Sequence, residues 1–262
     1  MKYGFIGCGN MGGAIVRALR KSTDQIAVSD RSGKAGILAE ELQIAYWDNE
    51  RIAAECDILF LGVKPHMMKD MLYPLRETLA RRKPVLVSMA AGLTVKTVEA
   101  FAGCSLPVIR IMPNTPTAIG AGVIAYCHNE LVSEAVLADW LRDMAPCGLV
   151  DGLEERLMDA FSALSGSGPA YIYVFLEALA DGAVSCGIPR EKAMEYAAMT
   201  MAGSARMYLS THQHPGALKD AVCSPGGSTI AGIRQLEEHG FRAAAMECVI
   251  AACERNHQLG EQ

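Results

Sequence analysis

The sequence contains no apolar run of about 18 residues free of charges and helix breakers, so no membrane-spanning helix is expected among its 262 residues. Met1 leads almost directly into a strand-like segment, and we therefore expect no signal peptide. The nine cysteines include no C-x-x-C pair, and a chain of this length does not need disulfide bonds to fold. These absences predict reduced thiols and a cytoplasmic protein.

Strong positive charge and clusters of metal ligands are also missing. The formal net charge is −5 and the longest basic run is Arg81-Arg82-Lys83, which predicts no nucleic-acid partner. His212 and His214 lie close together, but no further ligand type nearby completes a set, so we expect no metal site. Hydrophobic residues make up 51% of the chain and charged residues 20%, which predicts packed cores in one large domain or two ordinary ones.

The first part of the chain alternates short apolar segments with amphipathic ones. The periodicity predicts strands at residues 2–6, 26–29, 58–63, 85–89, 108–112, 122–127 and 148–151, and helices at residues 11–20, 35–42, 49–55, 67–79, 94–101 and 133–144. Residues 58–63 are apolar almost throughout, as a parallel strand buried on both faces should be. The alternation predicts an α/β domain with a parallel sheet over residues 1–151.

The rest of the chain, residues 152–262, reads as an all-α domain. Helices are predicted at residues 154–164, 171–186, 190–210, 216–222, 228–238 and 241–259, separated by glycine and proline breaks such as residues 166–169. The helix at residues 171–186 is apolar nearly all round, and such a helix is buried on every side. We expect it to form a homodimer interface; the alternative is a core helix within one chain.

A glycine-rich loop joins the first predicted strand to the first predicted helix. Residues 7–12 have the spacing G-x-G-x-x-G, in which the glycines allow a tight turn, close approach of a pyrophosphate and close packing of helix on strand. The helix N-terminus that follows attracts anions. This context predicts a Rossmann domain that binds a dinucleotide through Ile6, Gly7, Cys8, Gly9, Asn10, Met11 and Gly12.

Residues at the ends of later strands are further candidates for cofactor contacts. Asp30 suits the ribose hydroxyls of NAD, whereas Arg31 and Ser32 suit the 2′-phosphate of NADP, and we favour NADP with NAD still usable. Lys64 is either near a phosphate or ribose or an ordinary surface lysine. Asn114, held between prolines, either hydrogen-bonds the carboxamide or substrate or closes an Asx-type turn.

A second glycine-rich turn interrupts the helical part of the chain. Residues 224–229 read Ser-Pro-Gly-Gly-Ser-Thr; Pro225 ends the helix before it, and the glycines let the chain turn and approach a ligand. Ser228 and Thr229 are N-cap and first-turn residue types for the next helix. Free N–H groups at its N-terminus predict an anion site. A dinucleotide site and a site for a small acid together predict a dehydrogenase.

Six stretches, in order along essentially the whole chain, closely resemble the pyrroline-5-carboxylate reductase family: residues 5–12, 63–65, 112–116, 165–171, 214–216 and 220–230. The resemblance implies reduction of 1-pyrroline-5-carboxylate to L-proline with NADPH or NADH, the last step of proline biosynthesis. It also implies that the helical domains interlock into a dimer, that dimers often assemble into decamers, and that the substrate lies between the nicotinamide and the helical domain.

The resemblance further implies roles for individual residues. By motif position, Ser224, Gly227, Ser228 and Thr229 hold the substrate carboxylate, Gly226 belongs to the same substrate-binding turn, and Thr229 also reaches the ring nitrogen as the catalytic residue. The same matching places the cofactor against Asn49, Gly62, Val63, Lys64, Pro65, Met89, Ala90 and Ala91. Family members vary at the position of Asp30, Arg31 and Ser32, so the cofactor preference does not carry over.

Two other interpretations fit a Rossmann domain joined to helices. A related NADP-dependent imine or 3-hydroxyacid oxidoreductase would share the architecture, but 3-hydroxyacid dehydrogenases carry a G-x-x-x-K-x-x-x-N pattern on a central helix. Residues 171–186 contain no lysine, and Lys192 has no asparagine four residues later. A non-catalytic NADP-sensing protein would be expected to lack the turn at residues 224–229, which is intact here.

Overall fold

A computed structural model of the protein describes residues 1–260. The chain folds into two compact units. The first unit consists of Met1–Ser167 together with the end of the chain from Ala252, and the second consists of Gly168–Ala251. The first unit is an α/β structure and the second is entirely helical.

The first unit is built on an eight-stranded sheet. Its strands are β1 (Tyr3–Ile6), β2 (Ile26–Ser29), β3 (Ala45–Tyr46), β4 (Ile58–Leu61), β5 (Val85–Ser88), β6 (Val108–Met112), β7 (Gly122–His128) and β8 (Gly148–Gly152). The strand order is β3-β2-β1-β4-β5-β6-β7-β8. All neighbouring pairs are parallel except β6 and β7, which are antiparallel. The predicted Rossmann-type sheet is thus confirmed, with two strands, β7 and β8, running opposite to the other six.

Two hydrophobic cores cover the two faces of this sheet. Side chains alternate between the faces along each strand, so Phe60 belongs to one core while Leu59 and Leu61 belong to the other. Phe5 and Phe60 stack on neighbouring strands with ring centroids 4.4 Å apart. The helices that cover the faces are α1 (Asn10–Leu19), α2 (Lys34–Leu42), α3 (Asn49–Glu55), α4 (Met68–Leu72), α5 (Arg76–Arg82), α6 (Val95–Ala102) and α7 (Glu134–Met144). Because strands β1 to β6 all run in the same direction, their carboxyl ends lie along the same edge of the sheet.

Two of the predicted helices are not continuous. The segment predicted at residues 67–79 divides into α4 and α5 at the 3₁₀ turn Tyr73–Leu75, because Pro74 has no N–H to donate to the preceding turn. The segment predicted at residues 154–164 contains a 3₁₀ turn, the short helix α8 (Met158–Phe161) and a π-helical turn over Ser162–Gly166. The predicted break at residues 166–169 is therefore confined to Ser167.

A buried arginine joins the sheet to the end of the chain. Arg110 of β6 is 4% exposed, and its guanidinium lies 3.2 Å from Glu155 Oε1 and 3.8 Å from Asp159 Oδ1. The Asn256 amide donates to the Asp159 carbonyl oxygen at 3.0 Å, and His257 Nε2 lies 3.7 Å from the Asp159 carboxylate. These contacts hold the last turns of the C-terminal helix in the first unit.

The second unit consists of helices with little core of their own. They are α9 (Gly168–Ser185), α10 (Arg190–Thr211), α11 (Pro215–Val222), α12 (Ser228–Glu238) and the greater part of α13 (Phe241–Gly260). The alternative that α9 is a core helix within one chain is wrong, since Val174 is 69% exposed and Tyr173 is 60% exposed in the single chain. Only Ala180 and Ala193 are fully buried in this unit. Within residues 1–260, no helix has the length and apolar character needed to cross a membrane.

Candidate active site

The glycine-rich loop between β1 and α1 is held by contacts that require glycine. Gly7 has φ +99°, and its N–H donates to the Ser29 carbonyl oxygen at 2.8 Å. A Cβ atom at Gly7 would lie 2.6 Å from the Gly62 carbonyl oxygen, and one at Gly12 would lie 2.5 Å from the Gly7 carbonyl oxygen. The loop therefore packs directly against the residue that follows β4.

Gly9 has a different environment from Gly7 and Gly12. It is the N-cap of α1 with no side-chain cap, and a Cβ atom there would have no neighbour within 4 Å. The first turn of α1 carries no acidic residue, and the N–H groups before Gly13 have no acceptor within the helix. An open, uncapped helix N-terminus beside small residues fits the pyrophosphate of a dinucleotide.

Cys8 lies in this loop but is not a nucleophile. Its side chain is 5% exposed, and burial, followed by the negative charge of Asp30, raises the pKa of its thiol to about 12. The thiol therefore stays protonated at neutral pH. The loop contributes shape and N–H groups to the site.

The residues after β2 form a tight turn around Asp30. The Asp30 carboxylate accepts from Ser32 Oγ at 2.7 Å and from the Gly33 N–H at 3.0 Å. Arg31 is exposed, and it forms no ion pair with any residue between 1 and 260. The Asp30 carboxylate thus already has protein donors, whereas the Arg31 guanidinium is available to an anion.

Lys34, which the sequence reasoning missed, lies at the start of α2 in the same turn. It lines a cavity of about 300 Å³ together with Gly9, Asn10 and Arg17. Arg17 is paired with Glu41 through two hydrogen bonds, so Lys34 supplies the unpaired positive charge on that side. The sequence feature that could have identified Lys34 is its position four residues after Asp30, in the run Asp-Arg-Ser-Gly-Lys.

Other predicted cofactor residues lie along the carboxyl edge of the sheet. Asn49 Oδ1 accepts from the Ser29 hydroxyl at the end of β2. The Gly62 N–H donates to the Ile6 carbonyl oxygen at 2.8 Å, and exposed Lys64 precedes the 3₁₀ turn Pro65–Met67. Beyond β5, Ala90 is buried, Met89 is half-buried and Ala91 is exposed. The sheet brings these predicted residues to the edge that carries the glycine-rich loop, with Val63 between Gly62 and Lys64.

Asn114 follows β6 at this edge, but its side chain is fully engaged in the protein. It is 7% exposed; Oδ1 accepts from the Val123 N–H at 2.9 Å, and Nδ2 donates to the Ser165 carbonyl oxygen at 3.2 Å and to Ser165 Oγ at 3.1 Å. Both amide protons have partners, which leaves no donor for a cofactor carboxamide.

The turn at residues 224–229 opens α12 in the second unit. Gly226 has φ +69°, and the Gly227 N–H donates to the Ser224 carbonyl oxygen at 3.0 Å. The N-cap is Gly227 and not Ser228, and no side chain caps the helix. The first N–H bonded within the helix is that of Ala231, so the N–H groups of Ser228, Thr229 and Ile230 are available.

The hydroxyl groups of this turn are also unengaged. Among residues 1–260, no hydrogen bond involves Ser228 Oγ or Thr229 Oγ1, and the first turn of α12 contains no acidic residue. Thr229 is therefore not a capping residue of α12. Before the turn, His214 caps α11 by accepting from the Gly216 N–H at 3.1 Å.

Comparison with known proteins identifies the family. Residues 155–259 match a family model described as pyrroline-5-carboxylate reductase dimerisation, and residues 2–92 match one described as NADP oxidoreductase, coenzyme F420-dependent. The pyrroline-5-carboxylate reductase of Escherichia coli is 41% identical over 99% of this chain and 98% of its own length. The Arabidopsis thaliana protein of the same name is 37% identical over 99% of this chain and 96% of its own.

A solved structure agrees along the whole chain. The Plasmodium falciparum pyrroline carboxylate reductase, determined with NADP bound, superposes with a TM-score of 0.88 at 32% identity, covering 99% of this chain and 98% of that one. The relatives match both the glycine-rich Rossmann unit and the helical segment that carries the turn at residues 224–229. The chain belongs to the pyrroline-5-carboxylate reductase family.

Proposed function

We propose that this chain reduces 1-pyrroline-5-carboxylate to L-proline with NADPH or NADH, the last step of proline biosynthesis. The observation that carries the proposal is the intact turn at residues 224–229, with its unengaged N–H and hydroxyl groups, in a chain 41% identical over 99% of its length to a reductase of that name. An anion such as the substrate carboxylate suits an uncapped helix N-terminus.

The protein's part in this reaction is orientation and electrostatics. When bound, the nicotinamide supplies the hydride that adds to the imine carbon. The N–H groups of Ser228 and Thr229, with the Ser224 hydroxyl, hold the substrate carboxylate at the start of α12, while Gly226 and Gly227 allow close approach. An iminium carbon is already electrophilic, so positioning the reactants, worth about 7–11 kcal/mol at best, is the main contribution required of the chain.

Thr229 is the residue that we assign to the ring nitrogen. The Thr229 hydroxyl forms no hydrogen bond within the second unit. It is therefore available to hydrogen-bond the ring nitrogen or to relay a proton to that nitrogen. Thr229→Ala should lower kcat about tenfold or more, the scale of losing a positioned proton-transfer group, with thermal unfolding unchanged. Steady-state kinetics with the imine measure the loss.

Two control variants accompany Thr229→Ala. Thr229→Ser keeps a hydroxyl and should stay near the wild-type kcat. Thr200→Ala removes a hydroxyl that donates to the Tyr196 carbonyl oxygen in α10 and should leave kinetics unchanged. Wild-type turnover in Thr229→Ala would remove this residue from the mechanism.

The direct test of the activity is spectrophotometric. Purified protein with NADPH and 1-pyrroline-5-carboxylate should show loss of NADPH absorbance that depends on the imine, with no loss when the imine is omitted. No imine-dependent decay with either NADPH or NADH would refute the proposal. A 3-hydroxyacid oxidoreductase is not favoured, because α9 has no lysine; such an enzyme would instead reduce NADP⁺ when given a 3-hydroxy acid.

The turn after β2 supports use of NADPH. Arg31 is exposed and unpaired within the described chain, and Lys34 adds a second cation, whereas the Asp30 carboxylate already accepts two hydrogen bonds. Arg31→Ala should raise the KM for NADPH about tenfold, because a hydrogen bond to a charged group contributes about 1.5–3 kcal/mol. The KM for NADH, which lacks the 2′-phosphate, should change less than twofold. An equal rise for both cofactors would contradict this role of Arg31.

The helical unit supports assembly through a second copy of the chain. Fifteen large apolar side chains are exposed on it: Ile172, Tyr173, Val174, Leu179, Tyr196, Met199, Met207, Tyr208, Leu209, Val222, Ile230, Leu236, Phe241, Met246 and Ile250. So much exposed apolar surface on a small unit is typical of an obligate interface. We propose a homodimer formed by these helices, and a decamer of such dimers.

Two further assignments follow from the same proposal. We assign cofactor binding to residues 1–151, and substrate binding and dimerisation to residues 152–262. We place the enzyme in the cytoplasm, because all nine cysteines are free thiols, as expected in a reducing compartment.

A further inference from the structure

The side chain of Asn114 ties together three separate segments of the first unit. It follows β6, its Oδ1 accepts from the Val123 N–H near the start of β7, and its Nδ2 donates twice to Ser165. Ser165 belongs to the π-helical turn Ser162–Gly166. The amide thus bridges the carboxyl end of a central strand and the last turn before the chain leaves the first unit.

The Ser165 carbonyl oxygen needs this bridge because of a proline. In an α-helix, the donor to this oxygen would be the N–H of residue 169, but Pro169 has none. The turn is closed instead by a π-helical hydrogen bond between residues five apart. In it, the Ser167 N–H donates to the Ser162 carbonyl oxygen at 2.9 Å. Ser165 is half-buried, and Asn114 Nδ2 supplies a donor to its carbonyl oxygen at 3.2 Å.

This turn lies at the edge of the sheet where the cofactor is expected. Asn114 stands at the carboxyl end of β6, which is parallel to β5, β4 and β1. Ala90, Gly62 and Gly7 follow the ends of those three strands. Ligands of such sheets bind outside the carboxyl ends of the strands. π-Helical turns inside helices are rare and frequently occur at functional sites.

We infer that Asn114 is a positioning residue, whose amide holds the π-helical turn Ser162–Gly166 as a wall of the reaction site through the Asn114–Ser165 hydrogen bonds. The inference rests on the proposed reductase function. It replaces the predicted contact between Asn114 and the cofactor, because both amide protons of this buried side chain are already donated. The residues that we assign to the adenosine and pyrophosphate follow other strands of the sheet. Loss of the Asn114–Ser165 hydrogen bonds should therefore lower turnover and leave NADPH binding unchanged.

The test uses Asn114→Asp, which keeps the size and the acceptor for the Val123 N–H but places an oxygen against the Ser165 carbonyl. In the ligand-free protein, amide hydrogen exchange across residues 162–167 should become at least tenfold faster. With NADPH and the imine, kcat should fall at least tenfold while the KM for NADPH stays within twofold. Asn114→Ser, which is neutral and too short to reach Ser165, replaces it if the aspartate variant does not fold.

Asn129 provides a matched structural control at the opposite end of β6. Its Oδ1 accepts from the Val108 N–H at 3.1 Å, and its Nδ2 donates to the Leu106 carbonyl oxygen at 2.7 Å and to Glu99 at 3.1 Å. Asn129→Asp should lower the melting temperature but leave kcat and the exchange of residues 162–167 unchanged.

Three results would each overturn the inference: unchanged exchange at residues 162–167 in Asn114→Asp, unchanged kcat in that variant, or an equal fall of kcat in Asn129→Asp. A fall of kcat without faster exchange would indicate direct contact between Asn114 and a ligand. Failure of the wild-type protein to oxidise NADPH with the imine would instead refute the proposed function, and the exchange experiment would still decide whether Asn114 holds the turn.

Discussion

Replacing Gly9 by alanine is expected to raise the Kd for NADPH about a hundredfold without lowering the melting temperature. The backbone of Gly9, at φ −66° and ψ −167°, suits any residue, and the new methyl group would meet no protein atom within 4 Å. It would occupy the space above the α1 N-terminus where phosphates approach. Losing two charge-assisted hydrogen bonds of about 1.5 kcal/mol each corresponds to roughly that factor. Fluorescence titration with NADPH measures it.

Gly36→Ala is the matched control for this substitution. Gly36 lies in α2, a Cβ atom there would also be in open space, and the backbone is helical. Alanine should leave the Kd unchanged and stabilise the protein slightly, by about 0.5–1 kcal/mol. Wild-type NADPH affinity in Gly9→Ala would show that the cofactor phosphates do not approach this loop.

Gly62→Ala is expected to act on stability, lowering the free energy of unfolding by about 3 kcal/mol. The added Cβ atom would lie 2.2 Å from the Gly7 carbonyl oxygen. That oxygen belongs to backbone anchored on both sides, since the Gly7 N–H binds the Ser29 carbonyl and the Gly62 N–H binds the Ile6 carbonyl, each at 2.8 Å. Overpacking against fixed backbone falls at the upper end of the 1–3 kcal/mol usual for such changes.

Urea unfolding with and without NADPH distinguishes the effect of Gly62→Ala on stability from the effect of Gly9→Ala on cofactor binding. Gly62→Ala should shift the unfolding midpoint at an unchanged m-value, whereas Gly9→Ala should shift it only when NADPH is present, by losing the stabilisation that the ligand gives. A midpoint for ligand-free Gly62→Ala equal to that of the wild type would mean that the loop and the end of β4 do not pack as described.

The sequence predicted those parts of the fold and site that depend on local pattern. Residues 7–12 are recognisable because the strand before them and the helix after them make the spacing meaningful. The helices α3 and α12 begin and end where their periodicity indicates. Reversal of β7 and β8 left no local signal, since the apolar character of a strand does not depend on the direction in which it runs. β3 has only two residues, too few for any periodicity.

The contacts that the sequence did not reveal are those between distant segments. Asn114 was recognisable as a rigid polar residue, but its partner Ser165 lies 51 positions away, so spacing left its role open. The cap of α12 was assigned to Ser228 from residue type, whereas the tight turn at Gly226 places Gly227 in that position. Similarity to the family, and not spacing, identified the cyclic imine as the substrate.

The order of synthesis has a consequence for the first unit, because its parts are not contiguous in the chain. All eight strands are synthesised before α9, yet the contacts of Asn256 and His257 with Asp159 wait for the whole helical unit. At about 5–20 residues per second, that interval is roughly 4–17 s. During it, Asp159, which lies beside Arg110, lacks its contacts with Asn256 and His257. The first unit is therefore completed only after the whole of the second unit has been synthesised.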